Sequence, residues 1–186
     1  MKCPVCTEHT LEEYLLEAGL PAYRCQTCEG VWVSGRQYWA WLRAHEDQPE
    51  RQEAEEQPLP VEKATQAKLC PECGRFLRRY KVWPNVDFYL DRCSHCRSIW
   101  FDRDEWAVLK ARGLHDDVHL FFMDIWQEDL RQEETRQRLD EIYRTRFGET
   151  DYARIREIRA WLEEHPLRSA LLAFLTDRDP YSISAR

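Results

Sequence analysis

The eight cysteines of this 186-residue chain fall into four Cys-x-x-Cys pairs with none left over: Cys3/Cys6, Cys25/Cys28, Cys70/Cys73 and Cys93/Cys96. Within each half the two pairs stand 18 or 19 residues apart. That spacing belongs to zinc sites built from four thiolates, so the chain is expected to hold two Zn²⁺ ions with four Cys each. Iron accepts the same ligand set and stays open as an alternative. Four thiolates complete a tetrahedron and leave no position for a water molecule. A hydrolytic metal is therefore not expected, and the chain reads as a non-enzyme.

Clustered cysteines imply a compartment in which thiols stay reduced. No charged and apolar leader precedes Cys3, and the longest purely apolar run, Ala170 to Leu175, is far too short for a membrane span. The expectation is a cytoplasmic protein. The formal charge of −7 understates the acidity. Each Zn²⁺ with four thiolates adds about −2, bringing the loaded chain to about −11. Globally this disfavours strong nucleic-acid binding, so the local distribution decides.

The halves repeat each other. Cys3 and Cys6 match Cys70 and Cys73, while Cys25, Cys28 and Trp32 match Cys93, Cys96 and Trp100 one residue further on. Val31-Trp32-Val33 matches Ile99-Trp100-Phe101, a short β-prone run. Ser34-x-x-Gln37 and Asp102-x-x-Glu105 both have the form of capping boxes, which predicts helices over 35–45 and 103–112. Hairpins are predicted from Leu11–Leu16 with Ala22–Cys25 around Gly19-Leu20-Pro21, and from Tyr80–Trp83 with Val86–Leu90 around Pro84-Asn85. Units this small need the metal, which contributes on the order of 10–16 kcal/mol per structural site.

The organisation follows: one unit over 1–45, an acidic flexible linker over 46–67, a second unit over 68–112, and a helical module over 113–186. The linker holds seven acids, two bases and three prolines. In the module, Val118, Phe121, Phe122, Ile125, Trp126 and Leu130 predict a helix capped by Asp116 or Asp117. The wholly polar stretch Arg131–Arg138 is either exposed helix or a break. Leu139, Ile142, Tyr143 and Phe147 resume the stripe, with Gly148 as its stop. Thr150 or Asp151 is the expected cap of the next helix, and Pro166 the first residue of the last one.

The two units resemble the bacterial zinc ribbons of the transcription factor IIB type. Cys3-Pro4-Val5-Cys6 with Cys25-Gln26-Thr27-Cys28-Glu29-Gly30-Val31-Trp32 carries the resemblance in the first unit. In the second it is carried by Cys70-Pro71-Glu72-Cys73-Gly74 with Cys93-Ser94-His95-Cys96-Arg97-Ser98-Ile99-Trp100-Phe101-Asp102. Ser98 departs from the usual glycine and Ser34 from the usual aspartate; both positions concern turns and caps, not ligands. The resemblance implies zinc binding and a transcription-linked role. The fold class is then α+β: small metal-stabilised domains, two tandem zinc ribbons followed by an α-helical module.

The second unit carries ten bases and six acids. Arg75, Arg78, Arg79 and Lys81 interleave with Phe76, Tyr80 and Trp83, a pattern suited to tracking a nucleic-acid backbone and stacking bases. The competing reading is a solvated hairpin whose aromatics pack beneath the metal. His115 and His119 lack the glutamate and third ligand of a metalloprotease motif, and His95 inside its Cys-x-x-Cys is expected at the surface. The expected partners are nucleic acid or the transcription machinery, with no membrane span. Two alternatives stand beside that reading. One is a protein-binding scaffold that self-associates through the helical module; the other is a redox sensor that releases zinc on thiol oxidation.

Overall fold

The computed structural model describes residues 1–45, 66–84 and 88–181. Most of the linker and the hairpin turn at Asn85 lie outside the described residues. The chain divides into two compact units, Met1–Glu134 and Thr135–Arg186.

In the first unit, both repeats build a hairpin, a third strand and a helix. The first repeat supplies β1 (Glu12–Glu17), β2 (Leu20–Arg24), β3 (Val31–Val33) and α1 (Gly35–His45). The second supplies β4 (Leu77–Lys81), β5 (Tyr89–Cys93), β6 (Ile99–Phe101) and α2 (Glu105–Ala111). The first strand, expected over Leu11–Leu16, runs over Glu12–Glu17. Pro21 lies within β2 and not in the turn, which is made by Ala18 and Gly19. β3 reaches β2 only at Tyr23 and Arg24, so the missing N–H of Pro21 costs that side of the strand no ladder bond. In the second repeat the first strand begins three residues before the expected Tyr80.

The acidic linker predicts two ribbons on either side of a flexible joint. In the structure they share one six-stranded sheet, ordered β1-β2-β3-β6-β5-β4. The two halves meet where β3 pairs antiparallel with β6, matching Val31 with Phe101, Trp32 with Trp100 and Val33 with Ile99. All six of these side chains are buried, because alternate residues feed opposite faces and both faces are covered. Val31, Val33, Ile99 and Phe101 join a core with Tyr38 and Trp41 of α1 and Trp106 and Leu109 of α2. Trp32 and Trp100 point to the other face, among the cysteines.

Residues after Gly113 depart from the expected helix. Val118 and Phe121 are buried in the sheet's helical-face core, and Leu120–Phe122 is a short 3-10 turn. The helix α3 begins at Asp124, not after Asp117, and runs to Phe147. Arg131–Arg138 is continuous helix within α3.

The second unit holds the end of α3, α4 (Glu149–Glu163) and α5 (Arg168–Thr176). Gly148, at φ 81°, ends α3 and also precedes α4, so neither Thr150 nor Asp151 is the cap. Pro166 lies before α5, whose cap position is Leu167. Tyr152 ties α4 to α3 by donating its hydroxyl to Asp140 at 2.6 Å. Among the described residues, no helix is long and apolar enough to cross a membrane.

Candidate metal centres

Each Cys-x-x-Cys forms the same turn. The backbone N–H of Thr7, Glu29, Gly74 and Arg97 donates to the carbonyl of the first cysteine of its pair, at 2.9–3.0 Å. All four residues have positive φ, from 52° to 73°. Only Gly74 adopts this conformation without steric cost; the other three are strained. Within the turns, N–H groups aim at sulfur: Cys6 and Val5 donate to Cys3 Sγ at 3.3 and 3.4 Å, and Cys96 to Cys93 Sγ at 3.4 Å.

The turns gather the eight thiols into two groups, Cys3, Cys6, Cys25 and Cys28, and Cys70, Cys73, Cys93 and Cys96. The ligands are sequential: no group mixes cysteines from different repeats. In each group the sulfurs lie within 4.8 Å of one another. The closest separations are 3.5 and 3.9 Å in the first group and 3.6 and 3.9 Å in the second. A tetrahedron with Zn–S bonds of about 2.3 Å has sulfur–sulfur edges of about 3.8 Å, so the donor set fits Zn²⁺.

The thiol electrostatics agree. Burial pushes Cys3 and Cys70 up to about 11 and raises Cys28 and Cys96 as well. Burial opposes ionisation of Cys25 too, but the N–H groups of Cys28 and Thr27 and the adjacent thiols draw it down to about 7. The N–H of Arg75 draws Cys73 down to about 7. Each group thus ionises one thiol readily and resists a second, a conflict that a divalent cation relieves. The chain holds two Zn²⁺ sites of four Cys each.

The sequence model of the family described as transcription factor zinc-finger matches residues 2–44 and 69–112. These segments are two tandem copies of that zinc ribbon. No curated protein and no solved structure matches the chain.

The ribbons are tied by side chains that the motif alone does not reveal. Glu72, inside the third Cys-x-x-Cys, accepts from Trp32 Nε1 of the first ribbon at 3.3 Å and from Ser98 Oγ at 3.2 Å. Ser98 Oγ in turn accepts from the Gly35 N–H at 3.3 Å. The departure of Ser98 from glycine therefore builds a link between ribbons. Its counterpart Gly30 lies beneath Trp100, where a Cβ would come within 2.1 Å of the indole.

A second group missed in the sequence surrounds Lys68. Its ammonium donates to Asp91 at 2.5 Å and to Asp102 at 2.6 Å, and its side chain is 1% exposed. Burial opposes the charge on Lys68, but the two carboxylates outweigh it and hold the ammonium charged. The predicted capping box is thereby half realised. Glu105 accepts from the Asp102 N–H at 2.8 Å, while the Asp102 carboxylate takes Lys68 and the Trp100 indole instead of capping α2. Asp104 occupies the cap position, with no side-chain bond. Burial and the neighbouring Asp102 push Glu105 well above the usual carboxylate range.

Neither histidine of the 115–119 pair forms a metal site. His115 packs between Trp41 and Trp106, and the His119 ring bonds the Asp116 carbonyl. His95 is exposed.

Arg78, Arg79 and Lys81 lie on β4, an edge strand, and Arg75 just before it. Arg75, Arg78 and Arg79 are exposed, with the guanidiniums of Arg78 and Arg79 over the Tyr80 and Tyr89 rings. Phe76 between them is 69% exposed. Lys81 forms an ion pair with Glu134, and its ammonium lies over the Tyr89 ring on the same side as Arg79.

Proposed function

We propose that the chain is a non-catalytic, zinc-held adaptor whose edge strand β4 binds single-stranded nucleic acid. The observation that carries this reading is the exposed Phe76, flanked in the chain by the exposed Arg75, Arg78 and Arg79. A large aromatic left in water within a run of exposed arginines suits a base face and its phosphates. The backbone of β4 is bonded at its outer edge to Lys68 at one end and to Gln127 at the other, so side chains make the contact. Lys81, committed to Glu134, takes no part. The match to the transcription factor zinc-finger supports a partner in the transcription machinery, by analogy of fold.

Fluorescence anisotropy with a labelled oligonucleotide over a salt series tests this. Arg78→Ala with Arg79→Ala is expected to lower the salt slope by about 2, and Phe76→Ala to cost about 1–3 kcal/mol. Binding and slope unchanged by all three substitutions would remove the proposal.

A zinc-release sensor is the second reading. It rests on Cys73, the most exposed of the eight thiols. Full zinc retention through mild peroxide would dismiss it.

A further inference from the structure

The second unit contains three helical segments and many large apolar side chains, yet Leu162 is its only buried one among the described residues. Ile142, Phe147, Ile158, Trp161, Phe174 and Leu175 all stand between 41% and 60% exposed. About ten such side chains, at roughly 70–100 Å² of uncovered surface each, amount to roughly 800 Å², what one partner of a standard interface buries. Uncovered apolar area of that total is what association would bury.

Charge along α3 indicates what covers it. Its first half, Asp124–Glu134, holds five acids and one base; its second half, Thr135–Phe147, holds four arginines and two acids. At 3.6 residues per turn one face carries Glu128 and Asp129 toward one end and Arg136 and Arg146 toward the other, with Leu139 and Phe147 among the arginines. Laid against a copy of itself in the opposite direction, this face sets acids on arginines at both ends. Parallel pairing would set like on like.

We propose that the helical unit is the contact between two copies of this chain, packed about a two-fold axis with α3 antiparallel to its copy. This goes beyond the nucleic-acid reading and does not depend on it. A two-fold contact uses the same patch on both copies, as a self-complementary helix face requires.

Light scattering of the zinc-loaded full chain provides the test. The expected mass is about twice 22.5 kDa at tens of micromolar. Arg146→Glu is expected to weaken association at least tenfold, and adding Asp129→Arg to restore it. Both substitutions are on exposed positions, and two zinc ions per chain in each variant confirm that the ribbons have folded. A strict monomer overturns the proposal, as does a dimer in which the double variant is as weak as the single one.

Discussion

Single residues in this chain do work that their motif does not announce. Glu105 is the clearest case. Its carboxyl is 3% exposed and titrates well above its unfolded value. Between the two values the unfolded chain has released this proton while the folded chain keeps it, so stability falls as pH rises through that window. At acid pH, below both values, the penalty is absent. Glu105→Gln is expected to remove this fall and to be the more stable protein above neutrality, read by urea melts of zinc-saturated samples at about pH 5 and pH 8. The first ribbon carries Gln37 at the matching position. Melts in which the two proteins keep a constant difference across pH would show that Glu105 is ionised in the fold. None of this was legible beforehand: Asp102-x-x-Glu105 reads as a capping box, and Lys68 is one lysine outside any motif. Only the fold brings Lys68 to Asp91 and Asp102, 23 and 34 residues away.

At the scale of elements, the metal ligands and the strand-forming runs were plain in the sequence because they are local. Cysteine spacing specifies a turn and a donor set, and Val31-Trp32-Val33 shows β propensity without reference to anything distant. The pairing of that strand with Ile99-Trp100-Phe101 left no local trace. It arises because each three-residue strand is apolar on both faces, has one open edge, and finds its near-copy as a match. The 3-10 turn at Leu120–Phe122 was misread for a related reason: spacing of three or four serves a helix and a tight turn alike, and the packing of Phe121 decides between them. The junction is closely fitted. Gly30→Ala would drive a methyl into the Trp100 ring and is expected to cost about 1–3 kcal/mol or more in thermal or denaturant melts, with zinc stoichiometry preserved. A neutral effect would mean that Trp100 has room to move, contrary to its complete burial.

For the whole molecule, the shared sheet means that the zinc sites do not act alone. Glu72 is held by the second metal's turn and itself holds Trp32 of the first ribbon. Cys93→Ser, which disables the second site, is expected to weaken zinc binding at the intact first site about 5- to 150-fold, a coupling of about 1–3 kcal/mol. Competition against a chromophoric chelator measures it, and an unchanged first-site affinity would show that the ribbons are energetically separate.

Because the two halves of the sheet are encoded one after the other, they need not obey the rule that binds a true homodimer, where every substitution appears on both sides of the axis. A glycine can yield space to one indole while a serine, at the equivalent place, reaches across to the neighbour. One half was thus free to gather arginines on its outer strand while the other kept a net acidic surface. Duplication inside a single chain turns a symmetric scaffold into one with a front and a back.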